Sequence, residues 1–90
     1  MTLTLSNIDK DYSILLDTFK KKDFFKCVEL AEVFVKKYPQ KGNGFNILAL
    51  SYKAIGRTEE AIQVFLFLIE KLPKLIGYKI NLGNLYLNAG

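Results

Sequence analysis

Residues 42–75 read GNGFNILALSYKAIGRTEEAIQVFLFLIEKLPKL, and a pair of helices with a turn between them is legible in this stretch alone. Leu48, Ala49 and Tyr52 fall at i, i+1 and i+4, so they share one helix face, on which the small Ala49 lets a second helix approach closely. Ala61 and Phe65 supply the matching face of that second helix. Between them Gly56 stands where a helix stops and the chain enters a left-handed conformation, and Thr58 followed by Glu59 and Glu60 marks the next start. The stretch predicts a helix–turn–helix hairpin that ends at Pro73.

The same pattern extends in both directions. Pro39 and Pro73 lie 34 residues apart, and each closes an apolar-periodic segment that precedes another. Beyond Pro73, Leu82, Gly83 and Tyr86 repeat Leu48, Ala49 and Tyr52 at the same offset of 34. Before Gly42 the copy is degenerate, with Ile14, Leu15 and Thr18 in the first helix and Cys27 and Ala31 in the second. Lys22 occupies the place of Gly56, which costs on the order of 1 kcal/mol if the turn keeps its geometry, and Asp23 is positioned to cap the helix that follows. The expectation is five helices, at roughly 7–20, 24–37, 43–55, 58–71 and 75–88.

A period of 34 with Phe45, Leu48, Ala49, Tyr52, Ala61, Phe65 and Pro73 resembles the tetratricopeptide repeat, whose signature is W-x2-L-G-x2-Y…A-x3-F…P. Phe45 replaces the Trp, and Ala49 the Gly. The resemblance implies an all-α, right-handed superhelix of two helix pairs plus one further helix. It makes residues 1–90 one domain, with repeats at about 8–41 and 42–75 and a partial one at 76–90. Because the chain stops where a second helix follows in the middle unit, it is expected to be a fragment of a longer protein.

Composition narrows the chemistry. The 90 residues are 50% hydrophobic and 24% charged, with 2 Pro and no low-complexity segment, a profile of folded and not of disordered chains. Val64–Ile69 is the longest apolar run, too short to span a bilayer, and the MTLTLS start lacks the features of a signal peptide. A cytoplasmic protein without a membrane partner is expected. One cysteine excludes an intrachain disulfide, and the absence of histidine removes the commonest general base and zinc ligand. Cys27 reads as a packing thiol, and adjacent Glu59 and Glu60 point about 100° apart on a helix, too divergent for paired catalytic carboxylates. No enzyme activity, cofactor or metal is expected. The net charge of +4 is spread evenly along the chain, with Lys20, Lys21 and Lys22 as its densest cluster, so nucleic acid is not an expected partner.

In tetratricopeptide arrays the first helix of each pair lines a concave groove that binds peptides. That resemblance selects Tyr12, Leu16 and Phe19 in the first unit, Asn46, Leu50 and Lys53 in the second, and Ile80, Asn84 and Leu87 in the third. Amides among apolar neighbours suit a peptide, whose backbone groups must be re-paired when water leaves; the plainer alternative is that these side chains are solvated or pack a turn. Tyr12 and Leu16 stand where arrays that clamp a C-terminal carboxylate carry Lys and Asn, so such a clamp is not expected. Asn81 precedes Leu82-Gly83 as an asparagine does in arrays attached to O-linked N-acetylglucosamine transferases and related bacterial enzymes, where the amide holds the bound backbone. Ile47 and Ser13 break any continuous ladder, and Asn81 also reads as an ordinary exposed helix residue.

The leading expectation is thus a protein–protein interaction module that takes a peptide or partner segment in its groove. The alternative is the substrate-recognition arm of a larger glycosyl- or sulfo-transferase. A homodimer through the last helix is also expected, because Leu82, Gly83 and Tyr86 lack the hairpin partner that covers their counterparts in the middle unit.

Overall fold

The computed structural model describes residues 7–89; the MTLTLS start and Gly90, on which the sequence reading drew, lie outside them. Five helices follow one another: α1 (Asn7–Lys20), α2 (Phe24–Lys37), α3 (Gly42–Ala54), α4 (Thr58–Lys71) and α5 (Ile76–Ala89). All regular structure among the described residues is helical. The boundaries agree with the predicted ones to within a residue.

In α2 and α4 the apolar residues that are buried recur on one face. In α2, Cys27, Val28, Ala31 and Phe34 are buried, and in α4, Ala61, Phe65 and Leu68. Helix α3 is buried on two sides, with Ile47, Leu48, Ala49, Ser51 and Tyr52 all covered, because it lies between α2 and α4. The contacts give the directions. Phe19 meets Phe24 beside the first turn at 5.5 Å between ring centres, while Tyr12 meets Phe34 at 5.8 Å further away, so α1 and α2 run antiparallel. In the second hairpin Tyr52 lies under Arg57 at the turn and Phe45 against Phe67 at the open end. Helix α5 then packs on α4, burying Tyr78, Leu82 and Leu85.

The 34-residue period is a property of the backbone as well as of the sequence. Asp23 N–H donates to the Thr18 carbonyl and Lys22 N–H to that of Phe19; Arg57 N–H donates to Tyr52 and Gly56 N–H to Lys53. Tyr38 N–H to Phe34 likewise recurs as Leu72 N–H to Leu68. The helix ends share dihedrals too: Tyr38 has φ −129°, ψ 68° and Leu72 φ −132°, ψ 64°, each before a proline that cannot continue the helix.

Both hairpin turns are Schellman motifs, in which the residue after the C-cap must be left-handed. Gly56 takes φ 84° and Lys22 takes φ 64°, so the first turn keeps its geometry despite the lysine side chain. One expectation is corrected. Asp23 occupies the N-cap position of α2 but makes no side-chain capping bond; α4 begins at Thr58 as expected, with Arg57 in the corresponding cap position. At ψ 73° and 66° these residues keep the turn's backbone, which takes precedence over side-chain capping.

Candidate functional site

The first helices of the second and third units, α3 and α5, meet through one amide pair. Asn81 on α5 donates from Nδ2 to Oδ1 of Asn46 on α3 at 3.4 Å, a long bond between two half-buried amides. Below them Gly42 lets helices close in. A methyl group on it would stand 3.3 Å from the Tyr78 hydroxyl oxygen and 2.9 Å from Leu72 Cδ1. Tyr78 is buried, and this pushes its phenol pKa above the usual tyrosine value, with Tyr12 of α1 close enough to add to the effect. Tyr12 is half-buried against Phe34. The Asn46–Asn81 pair and the approach of Tyr78 to Gly42 thus bring α5 against α3, while Tyr12 packs on Phe34.

The predicted groove residues divide. Asn46 and Asn81 pair with each other, whereas Tyr12 packs against Phe34. Leu16 and Leu50 are half-buried against the core, and Phe19 is turned edge-on to Phe24, so it packs the α1–α2 turn. Lys53 is exposed. On α5, Ile80, Asn84 and Leu87 are all open to solvent, Leu87 at 81%. Asn81 is therefore an interhelix contact and not a freely solvated side chain.

The expected bare face on the last helix is corrected in one member. Leu82 is buried, because α4 covers α5 as well as α3; only Gly83 and Tyr86 of the predicted three are exposed. The apolar stripe that α5 does leave open runs through Ile76, Ile80, Gly83 and Leu87. Those positions lie at i, i+4, i+7 and i+11, on one side of the helix.

Two features escaped sequence reading. Tyr78 was one, although its signal was present: it falls 34 residues after Gly44, a large residue where the preceding unit has none. The other is a polar knot between α2, α3 and the second turn. Tyr52 donates its hydroxyl to Glu32 on α2 at 2.5 Å, Arg57 lies over the Tyr52 ring at 4.7 Å from its centre, and Arg57 also pairs with Glu60 at 2.6 Å. Burial, then the Glu32 carboxylate, pushes the Tyr52 phenol up to about 12. Its partners lie 20 residues back and 5 ahead, so no motif announces them.

Cys27 is fully buried with its sulfur 3.9 Å from the Leu15 carbonyl. Burial raises its thiol pKa, opposed in part by the nearby Ser51 hydroxyl. Such a thiol stays protonated and shielded, the opposite of an activated nucleophile. Among the described residues no group of three His, Cys, Asp or Glu comes together that could hold a metal ion. No helix among them is long and apolar enough to cross a membrane. No family model matches the chain, and no curated protein matches it significantly.

Proposed function

We propose that this chain is a tetratricopeptide-type interaction module, its helix pairs stacked as a right-handed superhelix, that holds an extended segment of a partner protein along α1, α3 and α5. The observation that carries this reading is the Asn46–Asn81 amide pair, which spans two first helices beside exposed Ile80 and Leu87. At 3.4 Å the pair is weak, so each amide is available to exchange its partner for a peptide N–H or C=O. Apolar neighbours exclude water around that exchange. The module is non-catalytic in this reading, and the lone reduced Cys27 suits a cytoplasmic setting.

The test is selection of binding peptides from a random library on the intact chain, followed by Asn46→Ala, Asn81→Ala and Asn84→Ala. Loss of an amide partner weakens binding by about fivefold each, with helicity unchanged. Selected peptides that bind all three variants equally well would move the site off this face.

Self-association through α5 is a second reading, favoured by its uncharged exposed stripe of Ile76, Ile80, Gly83 and Leu87. Two such stripes meet without like-charge repulsion, and the open space around Gly83 allows close approach. Light scattering at micromolar concentration decides it: a monomer unaffected by Ile80→Glu ends the idea.

A further inference from the structure

The two hairpins carry the same cleft at the same place, between the start of the first helix and the end of the second. In the first unit it is lined by Asp11, Val33, Phe34 and Lys37, with Ile14 and Leu30 beside them, and holds about 220 Å3. Thirty-four residues on, Phe45, Phe67, Leu68 and Lys71 take the places of those four around a cleft of about 230 Å3. The architecture is common to both, but the chemistry is not.

In the first unit a carboxylate already occupies the cleft. Asp11 accepts from Tyr38 Oη at 2.7 Å and from Lys37 Nζ at 3.2 Å, so both polar groups at its rim are satisfied and the Asp11 carboxyl is held below its ordinary range. In the second unit all three members change their relation. Phe45 replaces Asp11, Leu72 replaces Tyr38, and Lys71 keeps the lysine but ion-pairs with no carboxylate among the described residues. Lys71 instead lies over the Phe67 ring, 5.7 Å from its centre, and Phe67 stacks at 5.0 Å on Phe45. The apolar floor continues past Leu72 to Pro73 and Leu75, with Lys74 as a second cation on the rim and no acid in the lining.

We propose that this second cleft is a docking site for a peptide segment of a partner protein that presents an aspartate or glutamate next to a large apolar side chain. The carboxylate takes up on Lys71 the role that Asp11 plays on Lys37, and the apolar side chain covers Phe45 and Phe67. The occupant is fixed by complementarity: the floor is apolar, the rim is cationic, and the first unit supplies the template for what a lysine in this position pairs with. None of the residues predicted for the concave groove lines this cleft, so the site stands independently of the groove reading.

The test is a titration of the isotope-labelled intact chain with a blocked five-residue peptide alternating leucine and aspartate, followed by amide chemical shifts. Shifts are expected around Gly42, Phe45, Phe67, Lys71 and Leu72. The asparagine counterpart of the peptide, and Lys71→Gln with the aspartate peptide, are each expected to bind about fivefold more weakly. Phe45→Asp installs the first unit's own carboxylate and is expected to abolish binding; should that variant fold poorly, Lys71→Gln, an exposed change, carries the test. Equal affinity for the asparagine peptide, unchanged affinity in Lys71→Gln, no binding, or shifts centred on Asn46, Asn81 and Ile80 would each overturn the proposal.

Discussion

The backbone of Gly44 lies so close to the Phe34 ring that a methyl group on it would stand 2.4 Å from Cδ1 and 2.6 Å from Cε1. Phe34 is buried on α2 and stacked between Tyr12 and Tyr38, so the ring has nowhere to move. Gly44→Ala is therefore expected to destabilise the fold by about 1–3 kcal/mol, a typical cost of overpacking, and to lower the melting temperature by several degrees. In the next unit the sizes are exchanged, Leu68 for Phe34 and Tyr78 for Gly44. Phe34→Leu in the Gly44→Ala background should recover part of the loss, and its failure to do so would show that the clash is not with the ring.

Lys22 adopts φ 64° with a full side chain, where Gly56 meets the same demand without a Cβ. Lys22→Gly is expected to raise stability by about 1 kcal/mol, since the left-handed strain it relieves exceeds the added freedom of the unfolded chain. Chemical denaturation of the two proteins measures this directly. Gly56→Lys should cost a similar amount.

Tyr52 keeps its proton up to about 12 in the folded chain, above the ordinary value of 10.0. Its contribution to stability is fully present below pH 10 and is lost as the pH rises toward 12, because the unfolded chain releases that proton first. Tyr52→Phe should cost about 1–2 kcal/mol at neutral pH by leaving Glu32 without its donor, and should flatten the alkaline decline. Denaturation midpoints from pH 8 to 12 for both proteins would reveal an unchanged slope if Tyr52 were uncoupled from folding.

Cys27 is sealed among α1, α2 and α3, and its thiol pKa is raised by burial. Labelling by an aromatic disulfide reagent should be roughly a hundredfold or more slower in the native chain than in denaturant, and its rate should track global opening. The neighbouring Ser51 hydroxyl is buried beside this thiol and makes no hydrogen bond of ordinary geometry among the described residues, so Ser51→Ala should be neutral or mildly stabilising. Fast native labelling would mean that this layer opens locally.

Helix positions were legible in the sequence because they depend on local facts: apolar spacing, Gly56, and the two prolines. What was not legible depends on which helices become neighbours. Leu82 was expected to be bare because only its absent hairpin partner was considered, whereas a helix in a stack is covered from the preceding unit as well, here by α4. The approach of Asn81 to Asn46 and of Tyr78 to Gly42 follows from that same stacking. Phe19 shares the register of the expected groove residues, yet its ring packs on the nearby Phe24 at the turn.

Helix α3 touches α1, α2 and α4, while α5 leans chiefly on α4. Opening is therefore expected to be graded along the chain, with amide hydrogen exchange slowest in α3 and fastest in α5. A ligand bound across α3 and α5 as proposed would act as a clasp, part of its intrinsic binding free energy being consumed in holding α5 closed. Under that proposal affinity and exchange protection at that end are one linked equilibrium, and a substitution that firms α5 against α4 is expected to tighten binding without touching the ligand.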